Sequence, residues 1–344
     1  MKKLIAITIS LFLAASVFAQ KSSSFSTATY QSIKDEPSYL MNVMDWNKLS
    51  FDKYYLFSSI NSATRLNITG ATKVNSNTLM LSYEGNLWED NAWGRIGTLY
   101  GFDNKAILVS YDFFEDGTYS VFGNTVSGKI YEPRVSFGIN LDDKNTLKID
   151  GSYAYVDGTN IDDSYFSATV SFRHYLQQTS KVSSALLVSY NGGFLTQTNE
   201  SLSTTNKANS NYISTRFEYE NQFASKAKVG LTTRLDVGYY TNELTGGNLK
   251  QIFFNPYAYA GLSCALADSV DLLLGMDIDI PKYNINIDAE NTKTSFYSYY
   301  RIGLSVKPSD VVTIDGYAYL YPTSGISVEN LLSSSFYLSV ALKF

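Results

Sequence analysis

Beyond residue 50, apolar and polar side chains alternate at every second position, stretch after stretch. In residues 270–280, VDLLLGMDIDI, one parity holds Val270, Leu272, Leu274, Met276, Ile278 and Ile280. The other holds Asp271, Gly275, Asp277 and Asp279, with Leu273 the exception. Residues 229–239 and 296–306 repeat the pattern. A period of two is the side-chain repeat of a strand with two unlike faces, and helical spacing explains none of these stretches.

The alternation predicts strands at 51–60, 64–74, 78–88, 93–102, 105–115, 130–140, 145–157, 163–176, 182–196, 210–223, 226–240, 251–266, 269–281, 295–307, 310–321 and 333–344. Most run ten residues or more, against ~5–6 in globular sheets and ~9–11 for a tilted strand crossing a bilayer. The connections alternate as well. Asn75-Ser76-Asn77, Asp103-Asn104, Ala224-Ser225, Ala267-Asp268 and Pro308-Ser309-Asp310 are tight, whereas 197–209, 241–250 and 281–294 are long. Short turns on the periplasmic side and longer loops outside are the rhythm of outer-membrane barrels.

The charges obey the parity. All seven arginines, Arg65, Arg95, Arg134, Arg173, Arg216, Arg234 and Arg301, fall on the face opposite the apolar one. So do Asp150, Glu218, Glu220, Asp236, Asp271, Asp277, Asp279 and Asp315. An arginine or lysine facing lipid at mid-membrane costs roughly 2–4 kcal/mol, whereas a polar lumen accepts it. A secreted β-sandwich also alternates, but long strands, the loop rhythm and aromatic pairs near strand ends (Phe113-Phe114, Tyr239-Tyr240, Tyr299-Tyr300) favour a membrane barrel. The expected fold is all-β: a transmembrane antiparallel up-and-down barrel of about 16 strands, or 14 if the first pair is irregular, at residues 51–344.

The N-terminus reads as a separate unit. Residues 1–19, MKKLIAITISLFLAASVFA, have the charged start, short apolar core and small residues before the cut that mark a signal peptide. Residues 20–50 open Ser/Thr-rich. Asp35-Glu36-Pro37 then begins a short amphipathic helix with Leu40, Val43 and Met44. That helix would plug the lumen or lie at its periplasmic mouth, or the segment would simply lead into the first strand. The formal charge is −5, and two more negative once Lys2 and Lys3 leave with the leader, so nucleic acid is not an expected partner. The expected partners are outer-membrane lipid and the barrel assembly machinery, with homo-oligomers left open. One cysteine, Cys264, precludes an intrachain disulfide. One histidine, His174, stands without a recognisable catalytic partner motif, so neither enzymatic activity nor a metal or cofactor is expected.

Two inward clusters are candidate functional residues. Arg134, Arg173, Arg216, Arg234 and Arg301, with Glu218, Asp236 and Asp271, would line a pore, either as a charged constriction or as salt bridges filling a closed lumen. Tyr257, Tyr259, Tyr297, Tyr299, Tyr317 and Tyr319 would line the outer mouth, either stacking on sugars or packing with their hydroxyls hydrogen-bonded.

The last residues place Phe336, Leu338, Val340, Leu342 and Phe344 on one parity. An amphipathic final strand ending in phenylalanine resembles the signal read by the outer-membrane assembly machinery. The whole chain resembles the variable surface proteins (Vsp) of the spirochaete Brachyspira, on its leader, its size, its Tyr/Ser/Asn-rich strands and the terminal SVALKF. The resemblance implies an abundant surface antigen in the outer membrane, with surface-exposed loops and periplasmic termini, and it supplies no catalytic residues. The functional expectation is porin-like passage of small solutes by a surface-exposed protein. The alternative is a non-conducting antigen or adhesin that displays loops on a closed barrel.

Overall fold

The computed structural model describes residues 55–343, apart from connections at 62–64, 75–76, 87–92, 122–123, 159–160, 180, 200–203, 245–246, 281, 288–291, 294–296, 310 and 321–335. The leader, the 20–50 segment with its expected helix, and Phe344 lie outside the described residues. Every element among them is a strand: β1 (Tyr55–Asn61), β2 (Arg65–Val74), β3 (Asn77–Asn86), β4 (Trp93–Phe102), β5 (Lys105–Val121), β6 (Asn124–Asn140), β7 (Asn145–Gly158), β8 (Ile161–Gln178) and β9 (Val182–Asn199). Then come β10 (Thr204–Ala224), β11 (Ala227–Leu244), β12 (Gly247–Ala267), β13 (Val270–Asp279), β14 (Tyr283–Asn286), β15 (Thr292–Lys293), β16 (Tyr297–Val306), β17 (Val312–Leu320) and β18 (Phe336–Lys343).

All of them belong to one sheet, paired antiparallel in up-and-down order. β1 pairs with β2 on one side and with β18 on the other. Two strands are interrupted. β12 pairs first with β13 and farther along with β14, while β13 pairs with β16.

Burial along the strands is the inverse of a soluble sheet. Leu81, Ile96, Val109, Val135 and Ile213 are each more than half exposed, yet Asp112, Glu132, Lys148, Arg173, Glu218 and Asp236 are buried. The switch occurs between successive residues, as at exposed Val135 and buried Ser136. The buried, charge-bearing face is the inner face, and the exposed apolar face is the outer one. An apolar surface this continuous is stable only against something apolar, and lipid supplies that.

At one end of the sheet the connections are tight and locally capped. Asp103-Asn104 forms a two-residue turn with Asp103 at φ 48°, the left-handed conformation that a hairpin turn requires and that aspartate tolerates. Asp142 accepts hydrogen bonds from the Lys144 and Asn145 amides at 2.7 and 2.8 Å and from the Asn145 side chain at 2.6 Å. Thr179 Oγ1 accepts from the Val182 amide at 2.9 Å, and Ser309 Oγ from the Val312 amide at 3.2 Å. Such short polar side chains replace ladder partners where the chain reverses.

The opposite end departs from the sequence reading. The segments 197–209 and 241–250 are not long loops. β9 and β10 stay paired to Asn199–Thr204, and β11 and β12 to Leu244–Gly247. β5 and β6 likewise extend to Val121–Asn124. The extensions of β9–β12 are rich in Thr and Asn on both parities. Backbone pairing does not need an apolar face, so the ladder continues after the alternation stops.

Glycine permits close approach at two points. The Phe113 ring lies over Gly94 on the outer face, where an added Cβ would sit 2.5 Å from Cζ. On the inner face Gly238 lies between its cross-strand partners Tyr212 and Phe253. Their rings meet edge to face over it, with centroids 5.8 Å apart.

Candidate functional site

The inner face carries a belt of ion pairs on β4–β11. Arg95 on β4 clamps Asp112 on β5 through Nε at 2.6 Å and Nη2 at 2.5 Å. Arg134 on β6 reaches Glu132 at 2.8 Å and Asp112 at 3.6 Å, both through Nη2. On β7 Lys148 pairs with Asp150 at 2.8 Å, and Ser136 donates to the same carboxylate. Glu218 on β10 accepts a hydrogen bond from Arg173 of β8 and forms an ion pair with Arg216 of its own strand at 2.8 Å. Arg234 on β11 grips Asp236 through Nε at 2.8 Å and Nη2 at 2.6 Å. Strand parity makes this belt possible, because i and i+2 share a face and a strand supplies both partners from one side.

The two signs are not equally presented. The side chains of Arg134, Arg216 and Arg234 are 29%, 25% and 42% exposed, while those of Asp112, Glu132, Glu218 and Asp236 are at most 7% exposed. Six cations (Arg95, Arg134, Lys148, Arg173, Arg216, Arg234) meet five carboxylates (Asp112, Glu132, Asp150, Glu218, Asp236), so the belt is close to neutral in sum. At Arg134, Arg216 and Arg234 the accessible surface is cationic, because their carboxylates lie beneath the guanidiniums, whereas in the Lys148–Asp150 pair the carboxylate is the more exposed partner. Arg173 is the exception among the arginines: it is buried with Glu218, its guanidinium 5.5 Å from the centre of the Tyr175 ring.

A cavity of about 280 Å³ opens over this belt. Arg134, Lys148, Arg216 and Arg234 edge it together with the Asp150 carboxylate, and Ser, Thr and Asn side chains of β7–β10 form its floor. The floor is ordered by its own hydrogen bonds: Ser152 to Ser167 at 2.7 Å, Thr169 to Asn191 at 2.8 Å and Ser189 to Ser171 at 2.9 Å. Farther from the tight turns the inner face becomes apolar. Leu195, Ala208 and Tyr240 pack there with Tyr165, Leu249 and Phe253, and Ile130 and Val156 pack with Phe114.

Of the expected pore-lining residues, Arg134, Arg173, Arg216, Arg234, Glu218 and Asp236 share this belt. Asp271 lies apart, at the tight-turn end, with Lys307 at 3.3 Å. Arg301 is placed by its backbone opposite Gly275 and Tyr319, and its side chain lies outside the described residues. Tyr259 is buried on the inner face and Tyr257 half-buried. Both were expected toward the outer mouth. The register instead sets Tyr257 opposite Arg234, because β12 continues well past it to Gly247. The backbones of Tyr297, Tyr299, Tyr317 and Tyr319 are in the sheet, with side chains outside the described residues. Phe336, Leu338, Val340 and Leu342 lie in β18, where the last three pair with β1 and Phe336 pairs with Ala318 of β17. His174 hydrogen-bonds Asn145 at 2.8 Å near the tight-turn end, with exposed Phe172 and Leu176 on the same parity.

Asp112 and Glu132 had escaped sequence reasoning. Their inward parity was readable, but their role as covered counter-ions depends on cross-strand register. The hydroxyl floor was missed because serine and threonine on the polar parity of a strand carry no distinctive signal.

No protein-family model matches the chain, and no curated protein matches it. Solved structures do. The chain is similar to CdiB from Acinetobacter baumannii at 13% identity, with a TM-score of 0.51 over 85% of this chain and 59% of that one. A bacterial polysaccharide outer-membrane secretin aligns at 9% identity and a TM-score of 0.47, over 85% of this chain and 98% of its own. The outer-membrane expressed OmpT of Vibrio cholerae aligns at 11% and 0.39, over 85% and 97%. Only the first exceeds 0.5, and at that identity the likeness is one of fold. The fold is that of outer-membrane β-barrel proteins.

Proposed function

We propose that the chain is a closed, sixteen-stranded barrel in the outer membrane and that its inner face lines a water-filled path for small solutes. Counting β13 with β14, and β15 with β16, as two interrupted strands supports sixteen, and the pairing of β1 with both β2 and β18 supports closure. The observation that carries the reading is the inverted burial, with apolar side chains exposed outside and charged ones gathered inside around a polar cavity. A sixteen-strand barrel is wide enough for an aqueous channel. The refolded protein in planar bilayers should give stepwise conductance, and a stably inserted protein without conductance would remove the porin-like reading.

A second reading is that the barrel displays surface elements as an antigen or adhesin, in keeping with its resemblance to the Vsp proteins of Brachyspira. The paired extensions of β9–β12 favour it, since they raise polar hairpins beyond the apolar band. The two readings are compatible. Surface proteolysis of intact cells that cuts near 200–203 or 245–246 would support display, and full protection would oppose it.

A further inference from the structure

The inner-face cavity joins three kinds of surface. Its edge carries the guanidiniums of Arg134, Arg216 and Arg234, whose counter-ions are covered, beside one carboxylate, Asp150, that Lys148 neutralises at 2.8 Å. Among the described residues Arg234 hydrogen-bonds Asp236 through Nε and Nη2, and its remaining nitrogen keeps donors to offer. Arg134 spends a single nitrogen, Nη2, on both its carboxylates. The floor presents hydroxyls and amides in fixed orientations. The third surface is aromatic: Tyr212 lines the cavity, and Phe253 braces it edge to face.

Each surface selects a different part of a ligand. Guanidiniums with spare donors bind carboxylate or phosphate. An ordered row of hydroxyls and amides exchanges hydrogen bonds with a polyol. An aromatic ring stacks on the apolar face of a sugar. At about 280 Å³ the cavity falls just below the usual range of ligand sites, roughly 300–1,000 Å³, and so suits one ring rather than a chain. We propose that it is a binding site for an anionic monosaccharide, a sugar bearing a phosphate or carboxylate group. The proposal rests on the reading of the inner face as reachable from water, and it does not require that the barrel conduct.

The test is calorimetric titration of the refolded full-length protein in detergent with glucose 6-phosphate, glucuronate, glucose and inorganic phosphate. Glucose 6-phosphate and glucuronate should bind at least tenfold more tightly than phosphate, and glucose should not bind measurably. The paired variant Arg234→Gln/Asp236→Asn removes both charges together, so neither is left buried alone, and it should weaken sugar-anion binding tenfold or more. Tyr212→Leu should weaken sugar anions and leave inorganic phosphate unchanged. Heat-modifiable migration confirms that each variant is folded. Absence of sugar-anion binding, or binding indifferent to the paired variant, overturns the site. Equal affinity for phosphate and glucose 6-phosphate overturns its sugar component. Binding by a barrel that does not conduct leaves the site standing and removes only the porin-like reading, whereas conductance without binding does the reverse.

Discussion

Arg216 and Arg234 stand directly opposite each other on β10 and β11, a like-charged cross-strand pair. Such a pair is destabilising unless each charge is drawn elsewhere. Here Arg216 turns to Glu218 and Arg234 to Asp236. Glu218 is nearer the tight turn than Arg216, and Asp236 is farther from it than Arg234, so the two guanidiniums are drawn apart along the barrel axis. Two positive groups thus stay part-exposed, one on each side of their shared register position, while their carboxylates are covered.

A permeating ion would meet that positive surface first. Under a KCl gradient, the reversal potential in planar bilayers should have the sign of anion preference. Arg216→Gln with Arg234→Gln should move it toward zero or beyond. A cation-selective wild type would contradict the asymmetry of exposure.

Glu218 is the counter-ion of two arginines and is fully buried. Glu218→Gln removes the carboxylate with which Arg173, itself buried, is paired, and removing one member of a buried pair costs ~3–5 kcal/mol. The variant should unfold at markedly lower denaturant concentration in a lipid-vesicle refolding assay. Lys228→Gln should change it little, because its ammonium is 3.8 Å from Glu220 and nearly half exposed.

Gly238 tests the aromatic shelf. A Cβ there would lie 2.5 Å from the Asn211 carbonyl oxygen and 2.8 Å from the Phe253 ring. Gly238→Ala should destabilise by about 1–3 kcal/mol through overpacking, read in the same refolding assay. It should also displace the Tyr212 and Phe253 rings and so weaken sugar-anion binding, while the reversal potential stays as in the wild type.

The Asp142 turn carries a pH signature. The Asn145 side chain, then the Lys144 amide, hold the exposed Asp142 carboxyl below its ordinary range. A depressed folded pKa contributes stability above the unfolded value, lost as pH falls through the folded one. The difference between wild type and Asp142→Ala in amide-exchange protection at Lys144 and Asn145 should be constant above about pH 5 and shrink below about pH 4. A difference that persists unchanged to pH 2 would contradict the carboxylate's role.

Much of the fold was readable because lipid imposes its own grammar on the sequence. The expectation at 93–102 coincides with β4, and that at 64–74 falls within one residue of β2, since every second side chain there must face hydrocarbon. The same logic fails where lipid ends. Around Thr198 and Asn206 both faces are polar, so alternation vanishes although the ladder does not. The arginines were found by parity alone. Their pairing was not, because whether Glu218 meets Arg173, Arg216 or neither depends on register across β8, β9 and β10, which no single strand encodes.

The central claim is that successive residues of a strand face lipid and lumen in turn. It is tested most directly on β9, with Cys264→Ser as background and single cysteines at Val188, Ser189, Tyr190 and Asn191 carrying an environment-sensitive fluorophore. In vesicles with nitroxide-labelled lipid, labels at 188 and 190 should be quenched strongly, and those at 189 and 191 weakly. A water-soluble quencher should give the opposite order wherever the lumen admits it. Uniform quenching by lipid, or strong quenching at 189 and 191 in place of 188 and 190, would contradict the barrel and its register together.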